Sequence, residues 1–214
     1  PREKVDALLT KTEEALLMEV ADLIRPVSLT ASDDGEYTLS EAAPGDITAR
    51  GFVGEPGRTF KVDRATYNKA VNQQLRPGDL IVAIKGAVGT VGIVPDTVPT
   101  GAENAIWTAG QSMMIVRPKK RGGISHLVLY EYLSNSTVQK FIHSIAGGTA
   151  IPTLAMKDLK EFRVPVPEQA IVDSVETAFA DRSAVFEEIS LLEKKLDDMR
   201  GQAWPHKHLK GANT

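Results

Sequence analysis

The chain contains no cysteine. That absence excludes disulfides, thiol catalysis and thiolate metal sites. Long apolar runs are missing too: nothing approaches the stretch of about 18 apolar residues that a membrane-crossing helix needs. Residues 1–22 are charged throughout and lack the apolar centre of a signal peptide, so a cytoplasmic protein is expected. Catalytic signatures are equally scarce. The four histidines, His126, His143, His206 and His208, show no HExxH spacing, and no GxSxG elbow occurs. No two prolines are adjacent, which rules out the Asn/Asp-Pro-Pro-aromatic motif of amino-group DNA methyltransferases. No catalytic residue, no metal site and no cofactor is therefore expected, and the pattern points to a binding module.

What is present is enough for a proper core. A chain of 214 residues, 42% hydrophobic and 25% charged, has the make-up of an ordinary globular protein. The net charge of −3 conceals an uneven distribution. Residues 1–43 carry 4 basic and 10 acidic side chains, residues 44–168 carry 15 and 10, and residues 169–214 carry 6 and 8. A basic middle suits a polyanionic partner, and acidic flanks suit a protein.

The order of patterns is mixed. Val5, Leu9, Leu16 and Val20 fall near one helical face, which predicts an N-terminal helix ended by Arg25-Pro26. The stretch "TASDDGEYTLSEAAPGD" reads as a loop, and the Glu55-Pro56-Gly57 turn as a looped excursion. Strand patterns follow in "DLIVAI", "VGIV" and "SMMIVRP", then a helical stretch from Ser125, the loop "GGTAIPTL" and a last strand in "LKEFRVPVP". Strands followed by helices, without regular alternation, indicate an α+β domain.

From Glu168 to about Ala203 there is no proline, and Val185, Ile189, Leu192, Leu196 and Met199 recur at 4, 3, 4, 3. That is a heptad seam, and a coiled-coil seam buries its residues only against another helix. The partner is expected to be a second copy of the chain or the N-terminal helix. The predicted organisation is an N-terminal helix over 1–25, a mixed β-rich domain over 26–167, a long coiled-coil helix over 168–203 and a polar tail over 204–214.

The stretch "LRPGDLIVAIKGAVGTVGIV", Leu75 to Val94, has the look of a phosphate-cradling loop. Its glycines, Gly86, Gly89 and Gly92, lack a Gly-Lys-Ser/Thr ending and lead into a strand instead of a helix. The better reading is a tight reversal between two strands, with glycine where φ is positive or backbones pass closely.

This stretch resembles the opening of a target recognition domain in the specificity subunits of type I restriction-modification systems. The resemblance continues through "SMMIVRP", "LVLYEYLSNSTVQKFI" and "GGTAIPTLAMKDLKEFRVPVPEQAIV", and covers roughly residues 40–203. It implies sequence-specific binding of double-stranded DNA and delivery of a methyltransferase subunit and a restriction (nuclease-translocase) subunit to the site. The chemistry belongs to those partners. A full specificity subunit holds two recognition domains and two helical spacers, whereas one of each is present here. The spacing before Glu168-Gln169 is also shorter than usual in the family. A half-length subunit pairing with a second copy, or a piece of a longer chain, is the expectation.

On this reading the expected DNA contacts are Arg58, Lys61 and Arg64 after the Glu55-Pro56-Gly57 turn, Lys85 at the lip of the reversal, Thr149 after Gly147-Gly148, and Lys157. Lys119, Lys120 and Arg121 read as plain surface. Two rivals stay open: an interaction module without a DNA role but with a coiled-coil dimerisation arm, and a recognition domain from a fused methyltransferase.

Overall fold

The computed structural model describes residues 2–9, 12–99, 105–120 and 124–203, and the side chains of 201–203 are not described. The chain divides into two compact units, Pro1–Val175 and Glu176–Thr214. The first is an α+β domain, as its sequence predicts.

Its framework is a four-stranded antiparallel sheet in the order β2-β8-β5-β6, formed by Ala21–Ile24, Met113–Pro118, Leu80–Ala83 and Val91–Ile93. All four residues of β5 are buried, as are Met113 to Val116 of β8. Strands covered on both faces read as continuous apolar runs, which is why "LIVA" and "MMIV" are so legible. Ile81, Ala83, Met113 and Ile115 share one core with Leu75, Val94 and Ala109.

A second sheet, ordered β4-β3-β7, joins Arg58–Val62, Tyr37–Ala42 and Ala105–Ala109. β3 runs antiparallel to β4 and parallel to β7. Tyr37, Leu39, Val62 and Ile106 build its own core with Leu29 and Ala70, the last from helix α3, Arg64–Val71. The strand β3 corrects the loop expected across "TASDDGEYTLSEAAPGD". Asp33, Asp34 and Gly35 precede it and Pro44 follows it, so turn residues flank a short strand whose Tyr37 and Leu39 alternate inward with Thr38 and Ser40.

The N-terminal helix is also shorter than expected. α1 spans only Arg2–Leu9. Glu13–Leu16 forms β1, paired antiparallel with β9, Arg163–Val166, and a one-turn helix, α2, over Leu17–Val20 leads directly into β2. Pairing with strands about 100 and 150 residues away overrides the local helical period. Val5, Leu9, Leu17 and Val20 are nonetheless buried, and α1 packs on a later helix, Ser136–Ile145.

Helices α4, His126–Ser134, and α5, Ser136–Ile145, follow with Ser125 and Asn135 as N-caps, each accepting a backbone amide two residues ahead. The last small helix is α6, Met156–Lys160. The helix α7 spans Gln169–Ala203, matching the sequence reading and measuring about 50 Å at 1.5 Å per residue. Val172 and Phe179 are its buried apolar residues, and Arg182, which interrupts the heptads, lies with its guanidinium 5.1 Å from the Phe179 ring. The seam residues Val185, Ile189, Leu192, Leu196 and Met199 are 43% to 57% exposed. The tail over 204–214, with His206 and His208, lies outside the described residues.

Candidate nucleic-acid interface

Strand β4 lies at an edge of its sheet, and its register decides where each cation goes. Arg58 stands opposite Glu41 and Lys61 opposite Thr38, so the two cations project from opposite faces of the strand. Arg58 is ion-paired with Glu41, and its guanidinium lies 4.7 Å from the centroid of Phe60. More than half of its side chain stays exposed. Lys61 is exposed beside a hydroxyl pair, Ser40 and Thr59, whose oxygens are 3.0 Å apart across the strands.

The strand ends at Val62, and Asp63 caps the next helix by accepting the Thr66 amide at 2.7 Å. That bond, together with one from the Thr66 side chain, holds the Asp63 carboxyl below the usual carboxylate range. The cap fixes Arg64 at the first helical position, where its guanidinium lies 5.8 Å from the Tyr37 ring. Tyr37 in turn stacks on Tyr67 at 4.2 Å. Arg58, Lys61 and Arg64 thus lie within one strand-to-helix corner, two of them braced on aromatic rings.

Lys85, Thr149 and Lys157 form a second group. After β5 the chain reverses through Gly86 (φ 77°) and Gly89 (φ 89°). Gly92 is needed for a different reason: a Cβ there would stand 2.8 Å from the Ile47 side chain. The reversal is held by Gln139, whose Nε2 donates to the carbonyls of Gly89 and Leu133 at 2.7 and 2.6 Å. Lys85 bridges to Thr153, and the Gly86 amide donates to the Pro152 carbonyl at 3.0 Å. The loop carrying Thr149 is thereby tied to the lip carrying Lys85, and Lys157 follows on α6. All three side chains are exposed.

Sequence reasoning passed over Glu41, Phe60, Tyr37 and Gln139, which position these groups. The alternation in "YTLSEA" carries the signal for the sheet that holds Glu41, Phe60 and Tyr37; nothing local marks Gln139. Within the Lys119-Lys120-Arg121 cluster the Lys119 ammonium donates to the carbonyls of Met18 and Glu19 at 2.9 and 3.3 Å, and Lys120 is exposed. Arg121 lies outside the described residues. Among the described residues no group of three or more His, Asp or Glu side chains gathers as a metal site, and no helix is long and apolar enough to cross a membrane.

An α+β domain that displays cations at a strand edge and at a pair of tied loops has the features of a recognition module for an anionic polymer. Residues 33–185 match the type I restriction modification DNA specificity domain, and the chain belongs to that family. A specificity domain of this kind is a DNA-recognition component and not a catalyst. Over 121 residues the chain is 27% identical to the type I restriction enzyme EcoBI specificity subunit of Escherichia coli, covering 55% of this chain and 24% of that one. In fold it is similar to the S subunit of a type I restriction-modification system from M. genitalium, with a TM-score of 0.53 at 18% identity, covering 88% of this chain and 42% of that one. It is likewise similar to the HsdS subunit from Thermoanaerobacter tengcongensis, with a TM-score of 0.53 at 16% identity, covering 91% and 46%. The chain thus spans about a quarter of the curated relative's length and under half of each solved structure's.

Proposed function

We propose that this chain binds double-stranded DNA sequence-specifically and delivers a partner adenine methyltransferase subunit, and in the full assembly a restriction (nuclease-translocase) subunit, to its site in the cytoplasm. The observation that carries the reading is the exposed corner of Arg58, Lys61 and Arg64 inside the segment that matches the DNA specificity family. Phosphate contacts by such cations fix position on the duplex, and base edges in the major groove supply the choice. Lys85, Thr149 and Lys157 are the remaining contacts assigned to DNA.

The domain proposed to read DNA covers 26–167, and the helix over 168–203 acts as its spacer. Val185, Ile189, Leu192, Leu196 and Met199 lie exposed at heptad spacing, which favours pairing with another helix. We assign that role to the helix of a second copy, antiparallel, so that two reading heads sit a fixed distance apart. The target is then two short half-sites with a nonspecific spacer between them, since half-site separation follows protein geometry. The test is to reconstitute the chain with a cognate methyltransferase subunit and map methylated adenines on a mixed DNA library. Methylation confined to one bipartite sequence supports the proposal; methylation identical with and without this chain contradicts it.

A further inference from the structure

The loop between α5 and α6 is closed more firmly than a surface connection requires. Gly147 and Thr153 exchange both backbone hydrogen bonds, at 2.9 and 2.7 Å, leaving residues 148–152 as a five-residue tip. Within the tip the Thr153 hydroxyl donates to the Ile151 carbonyl at 3.2 Å. Gly148 has φ 102°, and a Cβ there would stand 2.3 Å from the Ile151 carbonyl oxygen. Two more bonds anchor the tip to the β5–β6 reversal: the Gly86 amide to the Pro152 carbonyl at 3.0 Å, and the Leu154 amide to the Ile84 carbonyl at 2.8 Å.

Ordering a loop costs conformational entropy, yet no residue of this tip enters the core. Residues 147–153 are all exposed, including the apolar Ile151. The backbone amides of Gly148, Thr149, Ala150 and Ile151 donate to no acceptor among the described residues. No acidic side chain occurs from Gly147 to Thr153, while Lys85 lies on the tied reversal and Lys157 at the start of α6. The nearby acids, Asp158 of α6 and Glu161 just after it, line a separate depression with Arg2 and Arg163.

We propose that this locked tip is a phosphodiester-binding loop. Its unbonded amides and the Thr149 hydroxyl receive phosphate oxygens of duplex DNA, and Lys85 and Lys157 supply the flanking charge. Donors fixed before binding lose little freedom on contact, and amides aimed at phosphate carry no sequence information. The loop therefore sets the grip and leaves base choice to other residues. This rests on the DNA-binding function proposed above and adds a division of labour to it.

The test uses the whole chain and two probes: the duplex enriched by selection from a randomised pool, and a mixed-sequence duplex. Gly148→Ala should lower affinity for both by the same factor, about ten-fold, as the loss of hydrogen bonds to a charged group implies. Thr149→Ala should do the same more weakly, and provides the reading should Gly148→Ala fail to fold. A duplex with one methylphosphonate linkage under the loop should bind more weakly to the wild-type chain and no more weakly still to Gly148→Ala. Selective loss on the enriched duplex alone would make the tip a base reader and overturn the proposal, as would unchanged binding of both variants to both probes. If the wild-type chain binds neither duplex, the DNA-binding function itself fails before any variant is compared.

Discussion

The Arg117 guanidinium grips both carboxylate oxygens of Asp79, Nε to Oδ1 at 2.8 Å and Nη2 to Oδ2 at 2.7 Å. Asp79 is almost wholly buried. It also accepts the Arg76 amide at 2.8 Å, while Arg117 donates onward to the Gln74 carbonyl at 2.8 Å. The pair joins β8 to the turn entering β5. Removing one partner strands a desolvated charge, which typically costs about 3–5 kcal/mol. Asp79→Ala should therefore lower unfolding free energy by about that much in urea denaturation. A change below ~1 kcal/mol would place the pair outside the fold's main supports.

The strand-edge cations give a measurement in salt. Arg58→Ala and Lys61→Ala should each weaken DNA binding and flatten the log–log salt dependence by about one unit, one counterion released per lost phosphate contact. Arg58 starts from an ion pair with Glu41, so Glu41→Gln should shift affinity the other way by releasing the guanidinium for phosphate. Anisotropy titrations across a salt series check all three. Wild-type slopes in both cation variants would remove Arg58 and Lys61 from the interface.

Tyr132 supplies a pH prediction. Its hydroxyl donates to the Arg163 carbonyl at 3.0 Å. Burial first, and then the charges of Glu14 and Asp6, push its ionisation well above the usual phenol range. A raised folded-state pKa means that the neutral phenol is favoured in the fold. Its contribution is complete below the unfolded value of about 10 and is lost as pH climbs toward the folded one. Tyr132→Phe should cost about 1 kcal/mol at neutral pH. The gap between wild type and variant should narrow above about pH 10. Urea unfolding of both proteins across that range is the check, and a constant gap would contradict it.

The helix can be tested as a ruler. Removing one heptad between Phe179 and Met199 shortens it by about 10 Å. That should reduce the spacer between half-sites by about three base pairs while the half-sites stay the same. Ile189→Asp with Leu192→Asp should abolish pairing in light scattering, since charge at seam positions opposes burial. An unchanged spacer in footprints of the shortened chain would sink the ruler.

Legibility from sequence followed the range of the interactions involved. β5 and β8 were readable because burial on both faces writes itself as an unbroken apolar run. The long helix was readable because the spacing from Val185 to Met199 is local. The N-terminal segment was not, because what makes Glu13–Leu16 a strand is the partner β9, about 150 residues downstream. β3 was hidden by the turn residues that bound it. In the candidate interface the cations after Glu55-Pro56-Gly57 stood out individually. Their bracing by Glu41, Phe60 and Tyr37 depends on cross-strand register, which no local pattern states. The joining of Lys85 to the Thr149 loop depends on long-range backbone pairing: the Lys85–Thr153 bridge and the bonds from Gly86 to Pro152 and from Leu154 to Ile84.

The central claim is that this domain chooses a DNA sequence, and selection from a randomised duplex pool by the purified chain addresses it most directly. Repeated rounds at moderate salt should enrich one short defined sequence, occurring twice at a fixed separation when two copies pair. A pool that stays random after selection, with binding that vanishes uniformly as salt is raised, would contradict the claim.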